Sequence, residues 1–244
     1  MDEEQSAVAV MRAITISREY GSAGGEIAIR LAKRLGWQLI DHEVVVRVAH
    51  KLHVSQEEAE EHDERVESLA SRILKSLRLV HPAMPVVVEM PTSMNSHAFY
   101  EARCQIIEGA VASGHAVIVG RGAQAHLGKR NDVLHVRIIA PLEARIAYVV
   151  SREGLDRVAA QTRIQQKDAE RARYLERFYH QRPSDPHLYD LVLSTGILDL
   201  ESAVDVILLV LERKARQLST EKQQLGPGTG LPRYPGQPED FPAR

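Results

Sequence analysis

The sequence predicts an α/β protein in which helices cover both sides of a mostly parallel sheet of five strands. Short apolar runs rich in β-branched residues alternate with segments whose apolar residues recur at helical spacing. The run Ala116-Val-Ile-Val-Gly120 is almost continuously apolar, as expected of a strand that is covered on both faces. The chain has 244 residues, of which 44% are hydrophobic and 26% are charged. This length and composition suffice for one large domain.

A glycine-rich loop follows the first predicted strand. The run 13–17 predicts this strand, and the periodicity of 27–35 predicts the helix after the loop. The loop, residues 17–26, reads Ser-Arg-Glu-Tyr-Gly-Ser-Ala-Gly-Gly-Glu. A second strand at 37–40 ends at Asp41, which would therefore face the same crevice as the loop.

The remaining elements continue the alternation of helices and strands. From Val44 to about Leu79 the pattern is helical and strongly charged, and its simplest interpretation is a solvated insertion beside the site. Further helices are predicted at 96–113, 142–152 and 200–215, and further strands at 116–120, 134–140 and 191–195. After about Leu218 the chain is rich in proline and glycine without apolar periodicity, which predicts a disordered tail.

The charge and cysteine content exclude several classes of function. The formal net charge of -2 provides no general attraction to nucleic acid or to an anionic membrane. The single cysteine, Cys104, cannot form an intramolecular disulfide. No apolar run has the length of a membrane span or the pattern of a signal peptide. We therefore expect a cytoplasmic protein without nucleic-acid or membrane partners, and nothing in the sequence indicates its oligomeric state.

The glycine-rich loop has the composition of a phosphate-binding loop. Its three glycines leave backbone amides accessible to an anion, and the N-terminus of the next helix adds a positive dipole end. However, the loop lacks the lysine of the G-x-x-x-x-G-K-[ST] pattern. Arg18 could supply a cation instead, or it could pair with Glu19 or Glu26. A tight turn in which glycines allow close packing explains the loop's own pattern equally well.

Arg121 follows another predicted strand, between Gly120 and Gly122. An arginine flanked by glycines at the carboxyl end of a strand can reach a ligand phosphate without crowding. The alternative role is a structural ion pair with Asp41 or Glu43. The position favours phosphate binding.

A charged helical segment could bring several cations to one ligand. Lys167, Asp168, Arg171 and Tyr174 recur at spacings of three and four residues, so they share a helix face. Such a face can converge on a polyanion. A solvated charged helix is the alternative, and the spacing alone favours it.

Five segments in a fixed order resemble the cytidylate kinase-like family of P-loop nucleoside monophosphate kinase relatives. They are AITISREYGSAGGEIAIRLAKRLGWQLID, AVIVGRGA, LHVRIIAPLEARI, KDAERARYLERFY and SDPHLYDLVLSTGILDLESAVDVI, and they lie within roughly residues 12–212. The resemblance implies a P-loop NTPase-type three-layer α/β/α sandwich in a domain of residues 1–218. It also implies a helical monophosphate-binding insertion at about 42–95 and a helical lid at about 152–187, before a disordered tail at 219–244.

The resemblance also implies the site residues and the substrates. It assigns catalytic roles to Arg18, Arg121 and Arg171. It assigns nucleotide binding to Gly21, Ser22, Ala23, Gly24, Gly25, Glu26, Asp41, Arg163, Asp168 and Arg177. The implied reaction uses ATP with Mg²⁺ and a nucleoside monophosphate, with no metal-ligating side chain assigned.

Two positions depart from the family pattern. Gly25 stands where relatives carry a basic residue, and Gly122 stands where cytidylate kinases carry an aspartate. The resemblance implies conversion of ATP and CMP or dCMP into ADP and CDP or dCDP, with activity weakened by the missing loop cation. Arg18, Arg163 or Arg171 could partly replace that cation. The alternative is a catalytically degenerate, nucleotide-binding regulatory protein.

Overall fold

A computed structural model describes residues 8–41 and 96–220, which fold as alternating strands and helices. The strands are β1 (Ala13–Arg18), β2 (Gln38–Ile40), β3 (Ala116–Val119), β4 (Val133–Ile139) and β5 (Leu191–Ser194). The helices are α1 (Gly24–Leu35), α2 (Ser96–Ser113), α3 (Ala123–His126), α4 (Leu142–Glu153), α5 (Arg157–Tyr179) and α6 (Leu200–Arg216). A short 3-10 helix covers Pro186–Leu188.

The five strands form one sheet in the order β2-β3-β1-β4-β5. Every neighbouring pair is parallel, so all carboxyl ends lie at one edge of the sheet. β1 is central, and the chain proceeds from it first toward β2 and later toward β4 and β5. Ligands of open parallel sheets bind where the order reverses in this way, beyond the carboxyl ends. The loop after β1 lies at that point.

Apolar side chains fill both spaces between the sheet and its helices. On one side, Ile14 and Leu31 are fully buried together with Ile207 of α6. On the other side, Ile106 of α2 packs in a cluster with Ile118 of β3. Burial of these apolar surfaces drives the assembly of the layers. The predicted three-layer α/β/α sandwich with a parallel sheet is confirmed.

The elements predicted within 8–41 and 96–220 are present, with small differences at their ends. α1 begins at Gly24 rather than Ile27, because its first turn consists of glycines and a glutamate that carry no apolar periodicity. α3 was not predicted, since four residues are too few to show a helical period. The predicted insertion at 42–95 and nearly all of the predicted tail, from residue 221 onward, lie outside the described residues. Within 8–41 and 96–220, no helix is both long and apolar enough to cross a membrane.

Candidate nucleotide-binding site

The loop between β1 and α1 contains two left-handed backbone positions. Gly21 has a φ of 82° and Ala23, the N-cap of α1, has a φ of 58°. A Cβ atom on Gly21 would lie 2.9 Å from the backbone oxygen of Arg145. The Ala23 side chain makes no capping hydrogen bond to the N–H groups of the first turn. The loop therefore presents its helix end in the manner that favours an anion.

Local contacts hold this loop in place. The Ser22 hydroxyl lies 2.9 Å from the backbone oxygen of Glu19 and 3.2 Å from that of Ile138. Ser22 is fully buried. A Cβ on Gly24 would lie 2.7 Å from the Cβ of Arg18, so this position requires a glycine. Ser22 and Gly24 thus fix the loop's shape.

Gly25 and Glu26 face away from these contacts. Gly25 is exposed, and a Cβ added to it would meet nothing within 4 Å. Glu26 forms an ion pair with Arg152, with Oε1 and Nη1 2.7 Å apart. The hydroxyl of Tyr148 donates a short hydrogen bond to the same carboxylate. The structure therefore places Glu26 in a polar cluster with α4.

A cavity of about 740 Å³ lies between the carboxyl ends of β1 and β3 and helix α5. The cations that line it are Arg18, Arg103, Arg121, Arg137, Lys167 and Arg171. Of the glycine-rich loop, only residues 17–19 contribute to the described lining. Clustered cations of this kind attract a multiply charged anion.

Arg18 extends from the end of β1 to the end of β3. A Cβ on Gly120 would collide with Nη1 of Arg18, so the arginine reaches this position because residue 120 is a glycine. The pKa of Arg18 is lowered to about 9, mainly by burial and also by the positive charges of Arg171 and Arg121. The negative charge of Asp41 acts in the opposite direction. Arg18 is thus a partly buried cation among other cations.

Arg121 and Arg171 share this environment. Burial is the largest cause of a lowered pKa for both guanidinium groups. The charge of Arg103 lowers the pKa of Arg121 further. Arg171 donates from Nη1 to the backbone oxygen of Arg18 at 3.1 Å. An anion in the cavity would stabilise all of these charges together.

Asp168 connects α5 to the glycine-rich loop. Its Oδ1 accepts a hydrogen bond from the backbone N–H of Tyr20 at 2.8 Å. Its Oδ2 accepts one from Nη1 of Arg145 at 2.6 Å, while Oδ1 lies 3.5 Å from Nη1 of Arg171. The predicted pair of Asp168 and Arg171 therefore lies at the site, with the aspartate serving to position the loop and the helix.

The other two carboxylates of the cavity lining also have partners. Glu19 accepts a hydrogen bond from the backbone N–H of Ala140 at 3.1 Å and lies 3.6 Å from Nε of Arg145. Glu170 pairs with Lys167 at 2.9 Å. The sequence left open an ion pair between Arg18 and Glu19 or Glu26, but these glutamates pair with arginines of α4.

Several cavity residues were not predicted from the sequence. Arg137 of β4 donates from Nη1 to the Ser17 hydroxyl at 3.1 Å, because the two residues face each other in register. Its isolated charge in the apolar run LHVRII was the available signal. Arg103 and Gln124 are also buried in the lining, but neither belongs to a recognisable motif.

Tyr179 occupies the space beside Gly122. Gly122 has a φ of 69°, and a Cβ on it would lie 2.6 Å from a ring carbon of Tyr179. The ring centroids of Tyr100 and Tyr174 lie 5.8 Å and 6.4 Å from that of Tyr179. The position where cytidylate kinases carry an aspartate is therefore enclosed by aromatic side chains.

The remaining predicted residues, Asp41, Arg163 and Arg177, differ in how they relate to the arginine-lined cavity. Asp41 is half-buried at the end of β2, and its charge acts on Arg18 and Arg121. Arg163 pairs with Glu153 at 2.6 Å, and Arg177 is exposed. In the part of the chain that the structure describes, neither Arg163 nor Arg177 lines the cavity.

The parallel sheet and the loop at its switch point define a protein with an α/β fold of the P-loop type, and an arginine-lined cavity lies beside that loop. The sequence profile of the cytidylate kinase-like family matches residues 13–197. The chain therefore belongs to the cytidylate kinase-like family.

Two curated relatives match shorter segments. A cytidylate kinase of Methanopyrus kandleri is 36% identical over 92 residues, which are 37% of this chain and 46% of that protein. A uronate isomerase of Corynebacterium glutamicum is 33% identical over 105 residues, which are 43% of this chain and 20% of that protein. The chain thus spans about a fifth of one relative and less than half of the other.

A solved structure shares the fold. An uncharacterized protein from Eubacterium ventriosum superimposes with a TM-score of 0.55 at 20% sequence identity. The match covers 82% of this chain and 98% of that one. At this identity the similarity concerns the fold alone.

Proposed function

We propose that this protein transfers the γ-phosphoryl group of ATP to a nucleoside monophosphate, with CMP or dCMP as the acceptor. The observation that carries the proposal is the convergence of Arg18, Arg121 and Arg171 on one cavity beside the phosphate loop. All three guanidinium groups have pKa values lowered mainly by burial. Such a cluster is suited to binding phosphate groups. Membership of a kinase family supports the same activity.

The reaction needs positioned charges rather than a nucleophilic side chain. An oxygen of the acceptor phosphate attacks the γ-phosphorus of ATP, and the bond from that phosphorus to the bridging oxygen breaks, so that ADP leaves. In our proposal the backbone N–H groups of the loop residues Gly21 to Glu26 bind the donor phosphates. Arg121 binds the acceptor phosphate, and Arg18 and Arg171 stabilise the charge on the transferred group.

Mg²⁺ enters this reaction as part of the ATP complex. Among the described residues, no group of three or more histidines, cysteines, aspartates or glutamates could hold a metal ion. The arginine lining is likewise suited to phosphate oxygens rather than to a cation. Mg²⁺ commonly binds through substrate phosphates and water. We therefore propose that it enters bound to the phosphates of ATP.

We further propose that the segment of about 152–187, which contains α5, closes over the phosphates as a lid. Asp168 and Arg171 bond to the backbone of Tyr20 and Arg18, so α5 contacts the loop directly. Closure of such a segment excludes water and limits hydrolysis of ATP. The segment 42–95, which lies outside the described residues, completes the proposal as the monophosphate-binding insertion of a domain spanning 1–218.

A transfer assay tests the function. ATP with CMP, dCMP, UMP or AMP at high enzyme concentration should yield a diphosphate, with CMP or dCMP preferred. Arg121→Ala and Arg171→Ala should each lower kcat/KM by about 100-fold or more, because a charge-stabilising contact is lost. Arg173→Ala, an exposed arginine of the same helix, is the matched control. Absence of product from every monophosphate would reject the proposal.

The second candidate is a regulatory protein that binds nucleotides without turnover. Two observations favour it: Gly25 provides no cation, and aromatic rings fill the space beside Gly122. This function predicts that ATP or CMP raises the melting temperature while no diphosphate forms. The same assay, run beside a thermal melt, separates the two candidates.

A further inference from the structure

Arg152 lies beside the phosphate loop although it belongs to α4. It occupies the last turn of that helix, and its Nη1 is 2.7 Å from Oε1 of Glu26. The Arg152 side chain is 62% exposed, whereas that of Glu26 is 18% exposed. The cation therefore remains accessible to a ligand while Glu26 holds it in place.

This ion pair lies at the position where the loop lacks its own cation. Glu26 directly follows Gly25, and both belong to the first turn of α1. Gly25 has open space on its Cβ side, so no other group occupies that position in the described part of the chain. Arg152 thus brings a guanidinium group to the residue next to the missing basic side chain.

The cations that the sequence suggested as replacements lie elsewhere. Arg18 is directed to Gly120 at the end of β3. Arg163 is bonded to Glu153 at 2.6 Å. Arg171 is bonded to the backbone of Arg18 at 3.1 Å. Arg152 pairs with the Glu26 carboxylate at 2.7 Å, whereas Arg30 reaches Glu26 through its backbone oxygen, at 3.3 Å.

We propose that Arg152 binds the donor triphosphate in place of the basic residue absent at Gly25. This inference rests on the proposed function in one respect, namely that ATP is the donor. On binding, Arg152 exchanges the Glu26 carboxylate for phosphate oxygens, which suit a guanidinium equally well. Tyr148 keeps its hydrogen bond to Glu26, so the released carboxylate retains a donor.

Nucleotide affinity and turnover of the full-length chain test this role. Arg152→Ala should raise the Kd for ATP by about tenfold or more, because a charged contact to the phosphates is lost. It should leave the Kd for CMP unchanged. Calorimetry gives both constants without requiring turnover. Where turnover is present, kcat should fall as well.

Two further variants distinguish phosphate binding from a structural ion pair. Glu26→Gln removes the pair but keeps the guanidinium, so ATP affinity should stay the same or increase. If the pair were only structural, Glu26→Gln and Arg152→Ala would lower the free energy of unfolding to a similar extent. Gly25→Arg in the Arg152→Ala background should restore ATP affinity, since Gly25 has space for the side chain.

Arg157→Ala is the matched control. Arg157 is 64% exposed and pairs with one carboxylate, Glu143, at 2.7 Å. Equal ATP affinities of Arg152→Ala and Arg157→Ala would overturn the inference, as would a wild-type protein that binds no ATP. Wild-type turnover that is insensitive to Arg152→Ala would reject the inference and leave the proposed function standing. ATP binding that depends on Arg152 without any turnover would support the inference and reject the proposed phosphoryl transfer.

Discussion

Gly122 and Gly25 lie in opposite surroundings. Each takes the place of a charged residue in the family pattern. At Gly122, however, the ring of Tyr179 fills the space that a side chain would need, whereas the Cβ side of Gly25 is open. A charged residue can therefore be reintroduced at Gly25 without moving its neighbours, and at Gly122 only by displacing an aromatic ring.

Gly122→Asp should lower the free energy of unfolding by roughly 2–4 kcal/mol, through both a left-handed backbone and a steric clash. Gly154→Asp provides the control, because Gly154 has a similar φ of 68° but nothing within 4 Å of a Cβ. That substitution should cost about 1 kcal/mol. Urea unfolding measures both values. Equal losses at the two positions would show that Tyr179 is not the obstacle.

At the scale of the element, hydrogen bonds join α5 directly to the backbone of the glycine-rich loop. Asp168 accepts a hydrogen bond from the backbone of Tyr20, and Arg171 donates one to the backbone of Arg18. Arg145 of α4 bonds to Asp168 from the other side. A movement of α5 must therefore break contacts to the loop's own backbone.

Asp168→Ala should lower the free energy of unfolding by about 1–3 kcal/mol, because Tyr20 and Arg145 each lose a hydrogen-bond acceptor. The loss should be felt in both α5 and the glycine-rich loop. Hydrogen exchange should increase in α5 and at residues 18–22. Glu170→Ala removes an exposed pair with Lys167 on the same helix and should leave this exchange unchanged. Unchanged protection in Asp168→Ala would mean that packing alone holds α5 on the loop.

The strands and this loop could be predicted because their signals are local. Apolar runs mark β1 and β3, and α2 ends where expected because Gly114 takes a φ of 76°. The partners of Glu19 and Glu26 could not be predicted. They depend on where α4 packs, more than 100 residues further along the chain, and no spacing rule reports such a contact.

At the scale of the whole molecule, a polar network joins the sheet to α6, running from the buried side chains of Thr15 and His135 to Asp190 at the surface. The His135 ring on β4 is 2.8 Å from the hydroxyl of Thr15 on β1, through Nδ1 and Oγ1. The backbone N–H of His135 donates to Asp190 at 2.7 Å, and Asp190 pairs with Lys214 of α6 at 2.6 Å. Burial is the largest cause that lowers the pKa of His135, to about 4.

Because His135 belongs to this network, we expect the folded protein to lose stability in acid. The pKa of His135 falls from 6.5 to about 4 on folding, so protons bind preferentially to the unfolded chain. Its contribution to stability is complete above pH 6.5 and is lost as the pH falls toward 4, on the order of 3 kcal/mol in total. Unfolding measured across this range should show a shallower pH dependence for His135→Gln. His187→Gln, at an exposed histidine, should retain the wild-type slope; an unchanged slope in His135→Gln would refute this assignment.

The open space at Gly25 also bears on how such a loop can change during evolution. Glycine codons of the form GGN become arginine codons through one substitution in their first base. Because an added side chain at Gly25 meets no neighbour within 4 Å, that single mutation requires no compensating change in the core. With a second guanidinium group available from α4, a lineage can lose the loop arginine and later regain it, each time through a chain that still folds.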